Sequence, residues 1–140
     1  MPGLAHHHHL LVIDDSRDFQ VLIKTFLQGT NFSCFAAADA IQATGIAVRE
    51  KPRVILLDIG LPGGDGLLVL DRLHANVKTQ PIPIIVVTGQ TRPGLEAKAR
   101  ARGAMAFLQK PFNREKLLET LHQVLQESTR AANTHSSPSP

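Results

Sequence analysis

Five times along this 140-residue chain, an apolar run of strand length gives way to a stretch whose apolar residues recur at helical spacing. That alternation constrains the fold more than any other feature. Parallel strands cannot be joined by tight hairpins, so each needs a crossover, usually a helix, and a sheet with helices on both faces needs strands that are apolar throughout. The expected class is therefore α/β, a doubly wound five-stranded parallel sheet between two helical layers. The length allows one such domain and no second catalytic one.

The strands read as residues 10–14, 32–37, 54–58, 84–88 and 105–109. Ser16 caps a first helix that turns Phe19, Leu22, Ile23, Phe26 and Leu27 inward. A second helix starts near Asp39 and stops before Pro52, because the residue preceding a proline disfavours helix. After a loop with Pro62, Gly63 and Gly64, Asp65 caps a third that buries Leu67, Leu70 and Leu73. The fourth, within residues 93–102, is rich in alanine and basic residues and should lie loosely on the sheet until Gly103 ends it. Asn113 caps a fifth with Leu117, Leu118, Leu121, Val124 and Leu125 facing inward.

The folded domain is expected over residues 10–127. An extension at 1–9 precedes it, with a histidine run at 6–9 that is a short tag, a native feature or a fortuitous metal site and takes no part in the functional reading. A Ser/Thr/Pro-rich tail at 128–140 has too little apolar surface to order itself and reads as a linker or frayed end. With 43% apolar and 19% charged residues the whole chain is ordinary for a soluble protein, which argues against disorder over most of its length. No run approaches the ~18–20 apolar residues of a membrane span, and no secretory leader is visible, so a cytoplasmic location without membrane contact is expected. The lone Cys34 cannot form an internal disulfide and reads as a small buried side chain. The net charge of +3 is spread over several segments without aromatic interleaving, which disfavours direct nucleic-acid binding.

Sheets of this kind bind ligands beyond the carboxyl ends of their strands. Strand one runs into Asp14 and Asp15, strand three ends in Asp58, strand four in Thr88, and strand five leads to Lys110 and Pro111. Alone, each has an ordinary structural explanation: a turn aspartate, a β-branched strand residue, a solvated lysine. Together they make one polar rim that a structural role does not require. Three neighbouring carboxylates repel one another unless a cation intervenes. Oxygen ligands select a hard ion, magnesium with manganese as a substitute, and Lys110 supplies a point charge suited to a phosphoryl oxygen.

Over residues 10–126 this pattern resembles the receiver domains of bacterial response regulators. The resemblance rests on the pair Asp14-Asp15, on Asp58-Ile59-Gly60-Leu61-Pro62-Gly63-Gly64-Asp65-Gly66, on Thr88-Gly89 and on Lys110-Pro111. It implies a flavodoxin-like strand order 2-1-3-4-5. It also implies roles. Asp58 would be the phosphoacceptor, Asp15 a direct magnesium ligand, Asp14 a ligand through water, and Gly60 a ligand through its carbonyl. Thr88 would hydrogen-bond the phosphoryl group, Lys110 would pair with Asp58 and then with the phosphate, and Pro111 would be a cis-proline that orients Lys110. Phe107 matches an aromatic switch position, although a core phenylalanine would look the same.

The chain would then be a signalling switch rather than an enzyme acting on other substrates. A sensor histidine kinase or a histidine phosphotransfer protein would supply the phosphoryl group. The face made by the fourth helix, fifth strand and fifth helix would change, signalling to a downstream target or a fused output domain, or through a homodimer. Gly60 and Gln90 occupy positions that tune phosphoryl lifetime in this family, and neither suggests strong self-hydrolysis. Three rivals share parts of the pattern. A flavodoxin-like carrier would have to place a flavin phosphate against Asp14 and Asp15 without any Trp or Tyr to stack on the flavin. A magnesium phosphohydrolase needs a second acid where Arg17 stands. A degenerate receiver would dock partners without chemistry, yet all the key residues are present.

Overall fold

The computed structural model describes residues 7–60, 66–90 and 92–136. Strands and helices alternate as β1 (His8–Ile13), α1 (Arg17–Phe26), β2 (Phe32–Ala37), α2 (Ala40–Glu50), β3 (Val54–Asp58), α3 (Gly66–Ala75), β4 (Ile84–Thr88), α4 (Leu95–Ala101), β5 (Ala106–Gln109) and α5 (Arg114–Ser136). All strand pairings are parallel and the order is β2-β1-β3-β4-β5, as the resemblance implied. The chain steps from β1 outward to β2, then crosses back to β3 on the other side. The crevice between β1 and β3 is thus where connections reverse direction.

Successive strand residues point to opposite faces, which splits the core into two layers. Leu11, Ile13, Ile55, Leu57 and Val86 meet Ala43, Ala47, Leu70, Leu73 and Ala99 from α2, α3 and α4. Leu10, Val12, Leu56 and Val87 meet Ile23, Leu27, Leu117, Leu121 and Val124 on the α1 and α5 side. A large aliphatic side chain buried this fully contributes about 1.5–3 kcal/mol relative to exposure, so the central strands anchor the domain. Local signals fix the helix starts: Ser16 Oγ accepts from Phe19 N, Asp39 Oδ1 from Gln42 N and Asn113 Oδ1 from Lys116 N. Among the described residues, no helix is long and apolar enough to cross a membrane.

Some expectations need correction. Leu22 does not face inward but is 41% exposed, beside the exposed Val21. At 100° per residue it stands roughly 85° from the centre of the stripe made by Phe19, Ile23, Phe26 and Leu27, at the flank of the buried face. β1 begins at His8, because β2 offers a partner backbone to His8 and His9 opposite Phe32 and Ser33. β5 starts at Ala106. α5 continues to Ser136, beyond the point near Glu127 where its apolar face stops; a helical backbone satisfies its own hydrogen bonds without burial, and no Gly or Pro interrupts this stretch. The Asp65 cap and the Pro62-Gly63-Gly64 loop lie outside the described residues. As expected, α4 buries little, only Leu95 and Ala99. Cys34 is half-buried, with burial pushing its thiol up to about 11.

One glycine controls how α3 seats behind the β3 loop. A Cβ on Gly66 would stand 2.2 Å from Ile59 Cα, and backbone atoms cannot yield as a side chain can. Gly66→Ala is expected to displace α3 and to destabilise the fold by about 1–3 kcal/mol in urea denaturation. An unchanged midpoint would contradict this close approach.

Candidate functional site

The carboxyl ends of four strands open onto one rim. Asp14 and Asp15 follow β1 directly, Asp58 closes β3, Thr88 closes β4, and Lys110 comes immediately after β5. One carboxylate oxygen from each of Asp14, Asp15 and Asp58 lies within 4.8 Å of the others. Their surroundings differ. Asp14 is fully buried, Asp58 has a side chain 11% exposed, and Asp15 faces solvent.

Each buried acid is held by the chain that leaves its strand. Asp14 Oδ1 accepts from Ser16 N at 2.8 Å, and its carbonyl accepts from Gln20 Nε2 at 2.7 Å. Asp58 Oδ1 accepts from Gly60 N at 2.8 Å. Lys110 reaches into the pocket with its Nζ 2.8 Å from Asp14 Oδ2 and 3.5 Å from Asp58 Oδ2. The lysine therefore stands closer to Asp14 than to the acid with which the resemblance pairs it. The Lys110–Pro111 bond is cis. Thr88 is buried, and its Oγ1 accepts from Gln90 N at 3.0 Å while its carbonyl accepts from Lys110 N at 2.8 Å. Phe107 is half-buried against the α3 and α4 side of the core and lines a cavity of about 510 Å³ with Gln90, Leu95 and Gln109. The rim residues thus come together, whereas Phe107 sits one layer away, under the loop after β4.

Burial raises the Asp58 carboxyl above the ordinary carboxylate range. The nearby Asp14 adds to the rise, and the Gly60 N–H and the Lys110 charge oppose it. The folded state therefore holds this proton more tightly than the unfolded chain does. Stability from this group is present at low pH and is lost as pH climbs through the raised value. Carboxyl-carbon NMR of Asp58 is expected to show a midpoint above about 3.9 without a divalent cation and a lower one with magnesium. A midpoint at or below the ordinary value in the metal-free protein would contradict the desolvation.

The donor set suits a hard divalent cation. Its ligand atoms are carboxylate oxygens, and magnesium ordinarily binds through one or two carboxylates while keeping several waters. The exposure of Asp15 leaves the solvent side open for those waters.

One contact escaped the sequence reading. The Lys110 ammonium lies 4.0 Å above the centroid of the Phe19 ring. An aromatic residue on the inner stripe of a helix is ordinarily core, and Phe19 does pack against the α1 and α5 layer. The available signal was its place in the first turn after the acidic pair, where a ring can face the same crevice.

A family model described as the response regulator receiver domain matches residues 10–122. Protein PilH of Pseudomonas aeruginosa is 30% identical over 116 residues, which cover 83% of this chain and 96% of that protein. Sporulation initiation phosphotransferase F of Bacillus subtilis is 27% identical over 83% of this chain and 92% of its own length. Among solved structures, the chemotaxis protein CheY4 of Vibrio cholerae superposes with a TM-score of 0.78 at 30% identity, covering 84% of this chain and 98% of that one.

Proposed function

This chain belongs to the response regulator receiver domain family, and from that premise we propose that it is the phosphoacceptor switch of a two-component phosphorelay, taking its phosphoryl group on Asp58. The observation that carries this reading is the single ammonium of Lys110 reaching two of three clustered carboxylates, Asp14 and Asp58. A pocket that both gathers acids and holds a cation against them can receive an anionic group that no one of those acids could approach alone. Family membership stands against the flavin-carrier and phosphohydrolase readings.

Asp14, Asp15 and Asp58, with the Gly60 carbonyl, would hold magnesium, and manganese could replace it. When bound, the ion neutralises charge on the transferring phosphoryl group. Asp58 supplies the nucleophile: a carboxylate oxygen forms a bond to phosphorus as the P–N bond of a phosphohistidine breaks, and the electron pair returns to the imidazole. The Gly60 N–H fixes Asp58 Oδ1. Lys110 follows the growing charge, moving from its carboxylate partners to a phosphoryl oxygen. Thr88 accepts from Gln90 N, so its own hydroxyl hydrogen is available to donate to the phosphoryl group.

Receiver domains work with histidine kinases and output domains. For this chain the donor is a sensor histidine kinase or a histidine phosphotransfer protein in the cytoplasm, and a target or fused output domain reads the result without direct nucleic-acid contact by this domain. Movement of Thr88 toward phosphate would draw on the β4–α4 loop and free Phe107 to turn toward the cavity it lines, altering the α4-β5-α5 face or a homodimer formed through it. The degenerate-receiver alternative predicts no modification at all. Incubation of the protein with a small phosphodonor is expected to add the mass of one phosphoryl group when magnesium is present and none when it is chelated, read by intact-protein mass spectrometry. An unmodified protein in both arms would overturn the proposal.

A further inference from the structure

The Lys110 ammonium has three N–H donors and, among the described residues, meets three groups. Two are the carboxylates of Asp14 and Asp58, and the third is the face of Phe19, with Nζ 4.0 Å from the ring centroid. The backbone that carries the ring is tied to the acidic rim. The Phe19 N–H is tied to Ser16 Oγ, and Ser16 N is tied to Asp14 Oδ1. Phe112 packs against the ring in a T-shaped pair, with centroids 6.0 Å apart and planes at 84°. Asp14, Ser16, Phe19 and Lys110 therefore form a closed circuit, because Lys110 returns to Asp14 Oδ2 at 2.8 Å. The segment from Lys110 to Phe112 grips the ring twice, with a charge on its face and a T-shaped aromatic partner.

We infer that Phe19 is a positioning residue for phosphoryl transfer, holding the Lys110 ammonium over the pocket through its ring face; the inference rests on the function proposed above. The choice of an aromatic face has a chemical reason. A third carboxylate at this place would bind the lysine in one direction and add a negative charge to a site that must admit an anion. A ring face attracts the cation broadly, adds no net charge, and keeps its attraction while the ammonium slides from the carboxylates to a phosphoryl oxygen. The lysine is thereby restrained without being locked.

The test compares Phe19→Leu, which fills the space without a π face, with Phe19→Tyr, which keeps the face. In the parent and in Phe19→Tyr, the Lys110 ε-methylene protons are expected upfield of their ordinary position because of the ring current, and in Phe19→Leu that displacement should vanish while the amide spectrum of the sheet is kept. Phosphorylation by a small phosphodonor with magnesium should slow by about three- to tenfold in Phe19→Leu, in the rate constant rather than in the donor concentration for half-saturation, and should recover in Phe19→Tyr. A folded Phe19→Leu protein with parental Lys110 shifts, or with a parental rate, overturns the inference and leaves the proposed function standing. A parent protein that takes no phosphoryl group overturns both the proposed function and this role, whatever the shifts show.

Discussion

Asp58→Asn is expected to abolish phosphoryl uptake and at the same time make the metal-free protein more stable. The first effect follows because an amide oxygen is too weak a nucleophile to displace the nitrogen of a phosphohistidine, and because neither Asp14 nor Asp15 has the position of Asp58. Asp14 is buried and bound to Ser16 and Lys110, and Asp15 faces solvent. The second follows from the electrostatics. Burial and the nearby Asp14 disfavour the ionised form of Asp58, and Lys110 compensates only in part because it lies nearer to Asp14. A neutral side chain of the same shape relieves that penalty and can keep the Gly60 N–H bond through its carbonyl. Functional sites commonly yield about 0.5–2 kcal/mol when relieved in this way, or about 3–6 °C in Tm for each kcal/mol in a domain of this size. The gain should shrink with rising magnesium, since the parent acquires a counter-charge and the variant loses a ligand. Adding phosphodonor and magnesium should shift the amide signals between Thr88 and Lys110 in the parent and leave them in place in the variant. A variant that still gains phosphoryl mass would move the acceptor to another residue, and one that melts below the metal-free parent would contradict the electrostatic account.

Much of this was legible because the signals were local or topological. Apolar runs such as 54–58 could only be buried strands, and Ser16, Asp39 and Asn113 mark helix starts through hydrogen bonds to the backbone three residues on. Parallel connection then brings strand ends to one rim, so Asp14, Asp15, Asp58, Thr88 and Lys110 could be grouped before any distance was known. What stayed hidden depends on angles and on the third dimension. Leu22 belongs to the apolar stripe by spacing, yet a flank position is covered only if a neighbouring element reaches it. The continuation of α5 to Ser136 needs no burial, so an apolar periodicity that stops near Glu127 cannot mark its end. The Phe19 contact joins residues far apart in sequence, and the place of Phe19 in the first turn after the acidic pair points to the crevice but not to the lysine that follows β5. Nor could spacing reveal which of two acids Lys110 approaches more closely, because that choice is set by fractions of the reach of a flexible side chain.

Lys110→Ala should be the most damaging single change to the metal-free fold outside the apolar core. Asp14 is only 1% exposed, and its Oδ2 is met by the Lys110 ammonium at 2.8 Å, itself three-quarters withdrawn from solvent. Removing one partner of a buried ion pair leaves the other charge without compensation, which costs about 3–5 kcal/mol, far more than the net contribution of an exposed pair. The loss cannot be made good by water reaching Asp14 from below, since Leu11, Val12 and Ile13 behind it are fully buried. Two comparisons separate this explanation from simple loss of packing by the lysine stem. Asp14→Asn added to Lys110→Ala should recover much of the stability, because the orphaned charge is gone, and the coupling between the two changes should exceed about 1 kcal/mol in a double-mutant cycle. Magnesium should rescue Lys110→Ala more than it stabilises the parent, since a cation among the three carboxylates takes over part of the neutralisation. Additive losses in urea denaturation, with equal magnesium effects on parent and variant, would mean that the Asp14–Lys110 pair is not what holds the acidic rim together.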